Sequence, residues 1–399
     1  MLKSVMSIIP PYDIEEINLN KYYLKTREII LSNLKNYTKL EIFNCLNCNL
    51  YELPELPNSL KYLYCTNNNL SKLLDLPNSL IYLSCSHNNL LELPDLPNSL
   101  THLFCNNNNL KKLPTLPNSL REIICNHNNL TKLPDLPDSL IYLNCSFNKL
   151  VELHDLPKSL KHLNCSFNKL VELPDLPNLL ELLCCEKNNL TELPKLPNSL
   201  TDLCCEKNNL TELPKLPNSL TDLFCNNNNL TELPKLPNSL TELFCNNNNL
   251  TELPKLPNSL RNFKCYNNKL TELPNLPNSL RKLYCDTNNL TKLPYLHNSL
   301  QILDCCYNKL TELPYLPNSL KYFDCSNNPL IYQNINIKDI KAINETNFKN
   351  RIIKRMQLLN RTLLLEHSAM ITMNPKRIKR LLDNHEIDFF DGSFDTLTL

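Results

Sequence analysis

Tryptophan is absent from this 399-residue chain, and its one glycine, Gly392, lies outside the part that carries most of the pattern. Tight left-handed turns must therefore be made by other residues, and asparagine tolerates positive φ better than most. A dominant charge is lacking too. Lys and Arg number 41 against 40 Asp and Glu, a formal net charge of +1. That balance gives no whole-chain field to select nucleic acid, an acidic substrate or a membrane surface. No stretch approaches the roughly 18 apolar residues of a membrane span. Pro10-Pro11 also interrupt the opening segment before it forms the apolar core of a signal peptide. There is no phosphate loop, no metal-ligand cluster and no nucleophile with an evident base. Catalytic residues, metal ligands and cofactors are accordingly expected to be none.

What the chain has is cysteine at a fixed interval. Fifteen of its 19 cysteines stand twenty residues apart, from Cys45 to Cys325, within near-copies of LPNSLTELFCNNNNLTELPK. A period in the twenties is the signature of a solenoid, which grows in one dimension and offers a surface rather than a pocket. All nineteen cysteines fall inside the array and their number is odd. This points away from a secreted disulfide scaffold and toward free thiols in a reducing, cytoplasmic setting. Triplets such as Asn229-Leu230-Thr231 resemble glycosylation acceptors but arise as by-products of the repeat.

The rows align without a gap as L-x-x-L-x-C-x-x-N-x-L. Leu recurs from Leu40 to Leu320 and from Leu50 to Leu330, and Asn from Asn68 to Asn328, with Cys48 in its place in the first unit. Leu63 and Cys65 are two apart and share one side of a strand, whereas Tyr62, Tyr64 and Thr66 take the other. One short strand per unit, stacked in register, predicts a long parallel sheet with one face inward, and fifteen units would span an arc of about 70 Å. Stacked Asn amides both donate and accept, so they can satisfy the backbone of a buried turn. The return segment L-T-E-L-P-K-L-P-N-S carries prolines three apart and predicts an extended, polyproline-II-like path. Asn in its P-N-S corner is expected to supply the positive φ that glycine would otherwise take. Proline is lost at Leu74, His154 and His297, where looser rungs are expected.

The unit resembles the leucine-rich repeat, and the L-P-x-L-P return is similar to the short bacterial subclass found in secreted effectors of enteric pathogens. Similar Asn-rich arrays occur in giant viruses of amoebae, so a virus-like effector acting in a host cytoplasm is a further reading. The match covers about residues 40–330. It implies a curved horseshoe that binds protein on its concave face. Cys departs from the family at a buried strand position where Leu, Ile or Val is usual. Some bacterial members add a helical ubiquitin-ligase domain with a catalytic Cys; no Cys follows Cys325, so that activity is not carried over.

The cysteine column reads as small apolar core residues, as does Cys45-Leu46-Asn47-Cys48 despite its C-x-x-C spacing. Cys184, Cys204 and Cys306 are expected at outward strand positions, Cys184 and Cys204 on adjacent rungs. They are either thiols left by duplication or an oxidisable or metal-binding pair. Duplication is visible, since Cys185–Leu203 recurs unchanged as Cys205–Leu223.

The outward positions supply the candidate binding residues. One zone is aromatic and histidine-bearing: Tyr62, Tyr64, Tyr82, His102, Phe104, Tyr142 and His162. The other sets Phe224 and Phe244 beside Asp202, Asp222 and Glu242, with Tyr284 further along, and suits a partner with apolar and basic groups. Aromatic anchors dominate interface energies; the competing reading is that aromatics simply make good strands and stack on their neighbours. On the return side, the columns Glu192, Glu212, Glu232, Glu252 and Lys195, Lys215, Lys235, Lys255 read as a solvated face.

The expected organisation is an N-terminal helical cap (1–39), the repeat array (40–330) and a C-terminal helical cap and tail (331–399). A helix is expected over about Tyr22–Leu34. Ile9 to Ile17 resembles the start of an F-box, a ligase-adaptor module. Beyond the array, a helix is expected over about 345–367 and another from Asn374-Pro375, where Pro375 to Arg380 forms a basic run; Asp388 to Gly392 reads as a docking peptide or a fold-back onto the cap. The function expected is a non-enzymatic scaffold binding an unidentified protein partner on the concave face. The alternative is a target-selecting adaptor or host-directed effector for a ubiquitin ligase, recruited through a terminal helical segment. Neither nucleic acid nor membrane is an expected partner; a homo-oligomer is allowed but not indicated.

Overall fold

The computed structural model describes residues 9–330, together with Asn344. The readings made for the C-terminal segment, including its two helices, basic run and docking peptide, lie outside the described residues.

Each unit of the array contributes one three-residue strand. The first is β2 (Ile42–Asn44), and strands follow at twenty-residue intervals to Tyr322–Asp324. They form a single sheet in strict sequence order, all parallel, in which Leu63 faces Leu83 and Leu223 faces Leu243 without a slip. The central residue of each strand points inward, and Leu60, Leu63, Cys65 and Leu70 are fully buried, as are their counterparts as far as Leu310; on the last turn Leu320, Phe323 and Leu330 are half-buried. The chain returns along the convex side in an extended path, with Leu73 and Pro77 completing the core. This is the expected leucine-rich-repeat solenoid.

Two side-chain ladders hold successive turns together. Asn68 Nδ2 donates to the Cys65 carbonyl of its own turn at 3.0 Å and to the Cys45 carbonyl of the preceding one at 2.8 Å. Its Oδ1 accepts from Leu50 N at 2.9 Å. The set recurs on every turn to Asn328, which joins Cys305, Cys325 and Leu310. No isosteric residue can do this, because the position needs two donors and an acceptor on one short side chain. The second ladder was not anticipated. Ser79 Oγ shares its one proton between the carbonyls of Leu60 (2.6 Å) and Asn58 (2.7 Å) of the turn before, and the contact with the leucine carbonyl is repeated through Ser319. It is broken at Leu179, which takes the serine position and is exposed.

Positive φ lies elsewhere than expected. The P-N-S corner does not use it; the residue two after each Cys does, from Asn47 (φ 55°) to Asn327 (φ 55°). Asn fills seven of these fifteen turn positions, while Phe147, Phe167, Thr287 and Tyr307 occupy others at φ 50–54°. For a bulky or β-branched residue the left-handed region costs about 1–2 kcal/mol, so the ladder bonds over-determine the turn. At the lost prolines, Leu74 and His154 are exposed, while His297 replaces a buried proline and places Nε2 3.1 Å from the Leu276 carbonyl.

The cysteine column is 0–1% exposed throughout, and all nineteen thiols are free. At four turns the thiol also donates to the carbonyl of the next strand, as from Cys305 Sγ to Asp324 O at 3.4 Å. A small side chain with a weak donor fits this layer where valine would leave the carbonyl with one contact fewer.

The N-terminal segment differs from the helical cap expected. Glu16–Asn18 form β1, which pairs parallel with β2, placing Ile17 beside Phe43. The helix α1 is shorter than expected, Leu24–Ser32, and is flanked by 3-10 turns. Ile17, Leu19, Ile30, Leu34 and Tyr37 cover the first turn and are buried. Arg27 Nε ties α1 down by donating to the Leu19 and Tyr22 carbonyls at 2.8 and 3.0 Å. Glu16 and Ile17, the last two residues of the segment resembling the F-box opening, are thus part of the sheet.

Two outcomes follow. Asn188→Asp removes both donors and buries a carboxylate against the Cys165 and Cys185 carbonyls; urea unfolding should show a loss of about 3 kcal/mol or more, and an unchanged midpoint would refute the ladder's role. The thiols predict alkaline sensitivity. Burial pushes Cys85 and Cys145 up to about 12, whereas unfolded thiols titrate near about 8.5. The folded value being the higher, this stability is complete below about pH 8.5 and is lost as pH rises toward 12, at about 1.4 kcal/mol per thiol per pH unit. With fifteen such thiols, reduced protein should unfold cooperatively above roughly pH 9 in a circular-dichroism titration, and replacing several column cysteines by alanine should make the fall with pH shallower.

Candidate binding face

The alternation that buries the middle residue of each strand turns its two neighbours outward. All thirteen candidate residues lie at such positions and are half-buried. In-register stacking sorts them into separate groups.

Tyr82 is the centre of the first. Its ring centroid lies 5.1 Å from Tyr64, 5.1 Å from Phe104, 5.7 Å from His102 and 6.4 Å from Tyr62. Burial raises its hydroxyl, reinforced by Tyr64 and Glu122. Tyr142 and His162 form a separate pair at 5.7 Å. The intervening turn places Glu122 4.0 Å from His102, an ion pair when the imidazole is protonated. The single aromatic zone read from the sequence is therefore two.

The acidic group forms one column, with Asp202 facing Asp222 and Asp222 facing Glu242. Thr201 and Thr221 hydroxyls donate to Asp202 and Asp222 at 2.6 and 2.7 Å, and Asn262 Nδ2 donates to Glu242 at 2.6 Å. Burial raises the Asp222 carboxyl, its threonine opposing and the neighbouring acids adding. In the next column Phe224 and Phe244 lie 4.8 Å apart. Lys264 Nζ sits 4.0 Å from the Phe244 centroid and 5.7 Å from that of Tyr284, so a cation joins residues that the sequence had set apart.

Between these groups Cys184 and Cys204 face each other in register. The interaction between the facing thiols lowers that of Cys184 and raises that of Cys204. Beside them burial pushes Glu206 up to about 7, with Glu186 adding to the effect. Its Oε2 has no hydrogen-bond partner among the described residues. Cys306 is not outward as expected: it lies just past its strand and is 9% exposed. Burial and the neighbouring Asp304 push its thiol up to about 12. Asp304, Cys306 and Asp324 bring their ligand atoms within 4.8 Å of one another.

A row on the flank of the sheet went unnoticed in the sequence. His127, Phe147, Phe167 and Lys187 occupy the positive-φ position on four successive turns. The rings of His127 and Phe147 stack at 4.1 Å and 14°, those of Phe147 and Phe167 at 4.0 Å and 14°, and Lys187 Nζ caps Phe167 at 4.8 Å. The signal was available as aromatic residues at a turn position that asparagine elsewhere fills.

No family model and no curated protein matches the chain. Solved structures do. YopM from Yersinia enterocolitica is 39% identical, with a TM-score of 0.71 over 75% of this chain and 71% of that one. YopM from Yersinia pestis, a leucine-rich effector protein, is 41% identical, with a TM-score of 0.67 over 72% of this chain and 84% of that one. InlJ from Listeria monocytogenes, whose functional domain includes a cysteine ladder, is 29% identical, with a TM-score of 0.60 over 69% and 65%. The cysteine column thus has a counterpart among leucine-rich repeats. With its twenty-residue turns, in-register sheet and paired ladders, this chain belongs to the leucine-rich repeat proteins, of the type found in bacterial effectors.

Proposed function

We propose that the protein is a non-enzymatic interaction scaffold that captures a protein partner on the concave face of its sheet. The observation that carries this reading is the gathering of aromatic and charged side chains into adjoining columns. Tyr82 with its ring neighbours forms one anchor, and Phe224–Phe244 capped by Lys264 forms another. Central aromatics excluded from water supply most of the energy of an interface. The column of Asp202, Asp222 and Glu242 directs basic groups of the partner alongside Phe224 and Phe244. Its carboxylates have no ion-pair partner among the described residues.

The ligase-adaptor alternative draws no support from the N-terminal segment, because Ile17 and its neighbours are used to close the first turn. No helix among the described residues is long and apolar enough to cross a membrane. The leucine-rich effectors of Yersinia support a setting in a host cytoplasm as part of this proposal.

Affinity purification with the full chain tests the reading. Phe224→Asp with Phe244→Asp should weaken the captured partner by about 30-fold or more, the loss of a hot spot. Tyr64→Ala with Tyr82→Ala should do the same if the partner spans both anchors. Capture unaffected by either pair would overturn the concave-face assignment.

A further inference from the structure

The four-residue row on the flank is not explained by folding. Its position demands a left-handed backbone, with φ 51° at Phe147 and 54° at Phe167, where asparagine stands on seven other turns. The phenylalanines do not join the core: Phe147 is 39% exposed, and Phe167 is half-exposed. They instead wall a shallow groove of about 490 Å³, floored by Asn128, Asn148 and Asn168 of the ladder.

The ring geometry selects the ligand. His127, Phe147 and Phe167 are stacked face to face along the solenoid. Apart from the outer face of His127, their faces are consumed by each other and by the Lys187 ammonium, so the row offers outward chiefly its ring edges, which carry the positive end of the aromatic quadrupole. Lysine surrounds it. Lys149 and Lys169 follow the two phenylalanines by two residues, and Lys187 and Lys207 continue the row; all four are exposed. None of the four has an ion-pair partner among the described residues. Positive ring edges beside unpaired ammonium groups favour carboxylates. A single-stranded nucleic acid would need a series of open ring faces for its bases, and the stack leaves only that of His127.

We propose that this flank is a second docking surface, distinct from the concave face, for an acidic protein segment that carries apolar side chains. Its carboxylates meet the lysines and ring edges, and its apolar groups fill the groove. Three turns of rings followed by two of lysine span about 20 Å, the length of a short extended segment.

The test is fluorescence anisotropy with the full chain and a fluorescein-labelled peptide of alternating glutamate and leucine. Its glutamine and lysine counterparts and an oligothymidine serve as rival probes. The acidic peptide should bind, lose affinity as salt rises, and bind about tenfold more tightly than the glutamine version. Phe147→Asn with Phe167→Asn installs the residue native to this turn elsewhere, so the fold is kept; binding should fall about tenfold or more. Lys187→Glu with Lys207→Glu should do likewise, whereas Lys195→Glu with Lys215→Glu, an equal charge change on the return side, should not. Failure of the acidic peptide to bind, equal loss in both lysine pairs, or no loss in the phenylalanine pair would overturn the proposal. Oligothymidine binding that disappears in the phenylalanine pair would assign the flank to nucleic acid instead.

Discussion

The structure depends on one side chain used repeatedly, the ladder asparagine. With no glycine available in the array, each turn leaves its strand through a left-handed residue. The carbonyls and amide beneath that turn are buried, and they would be orphaned if only backbone were present. The asparagine of the following turn answers them, joining two carbonyls and an amide across adjacent rungs. Because the bond set crosses between turns, no turn is complete until its successor is in place. Stability is consequently a property of neighbours, as expected of a one-dimensional stack.

Once the turns are held by the ladder, the residues at the turn itself are released from conformational duty. The positive-φ position accepts asparagine, histidine, lysine, threonine, tyrosine and phenylalanine with nearly the same dihedral. The same holds for the outward strand positions, whose backbone is set by in-register pairing whatever side chain they bear. A rigid frame with freely variable outward columns allows aromatic, acidic and basic groups to be arranged at rung spacing, as around Tyr82 and Phe244.

The core was legible in the sequence because its periodicity is absolute: Leu63, Cys65 and Asn68 declare their direction by spacing alone. The asparagine ladder followed from chemistry, since a buried turn needs an amide. The serine ladder was missed because Ser79 sits in a corner that looks like an ordinary turn, and its acceptors belong to the turn before. β1 was missed for a similar reason: Glu16–Asn18 is too short to signal a strand and becomes one only because β2 offers an edge. Positive φ was assigned to the wrong asparagine, as the pattern contains several and only geometry separates them. The thirteen face residues lie at the outward strand positions that their spacing indicates, but their grouping was not legible. Whether Tyr82 contacts Phe104, or Lys264 reaches Phe244, depends on rotamers across a rung.

The unbroken register has a consequence for how such a molecule changes over generations. The span Cys185–Leu203 recurs letter for letter as Cys205–Leu223, and both copies sit in the sheet with their asparagine-ladder bonds made. Gain or loss of one whole unit leaves each remaining turn with a neighbour identical in kind, so it lengthens or shortens the surface without opening the frame. An insertion of any other size would displace a ladder. Heredity can therefore edit this protein in quanta of one rung, and each new rung arrives already folded into place with its outward residues free to diverge.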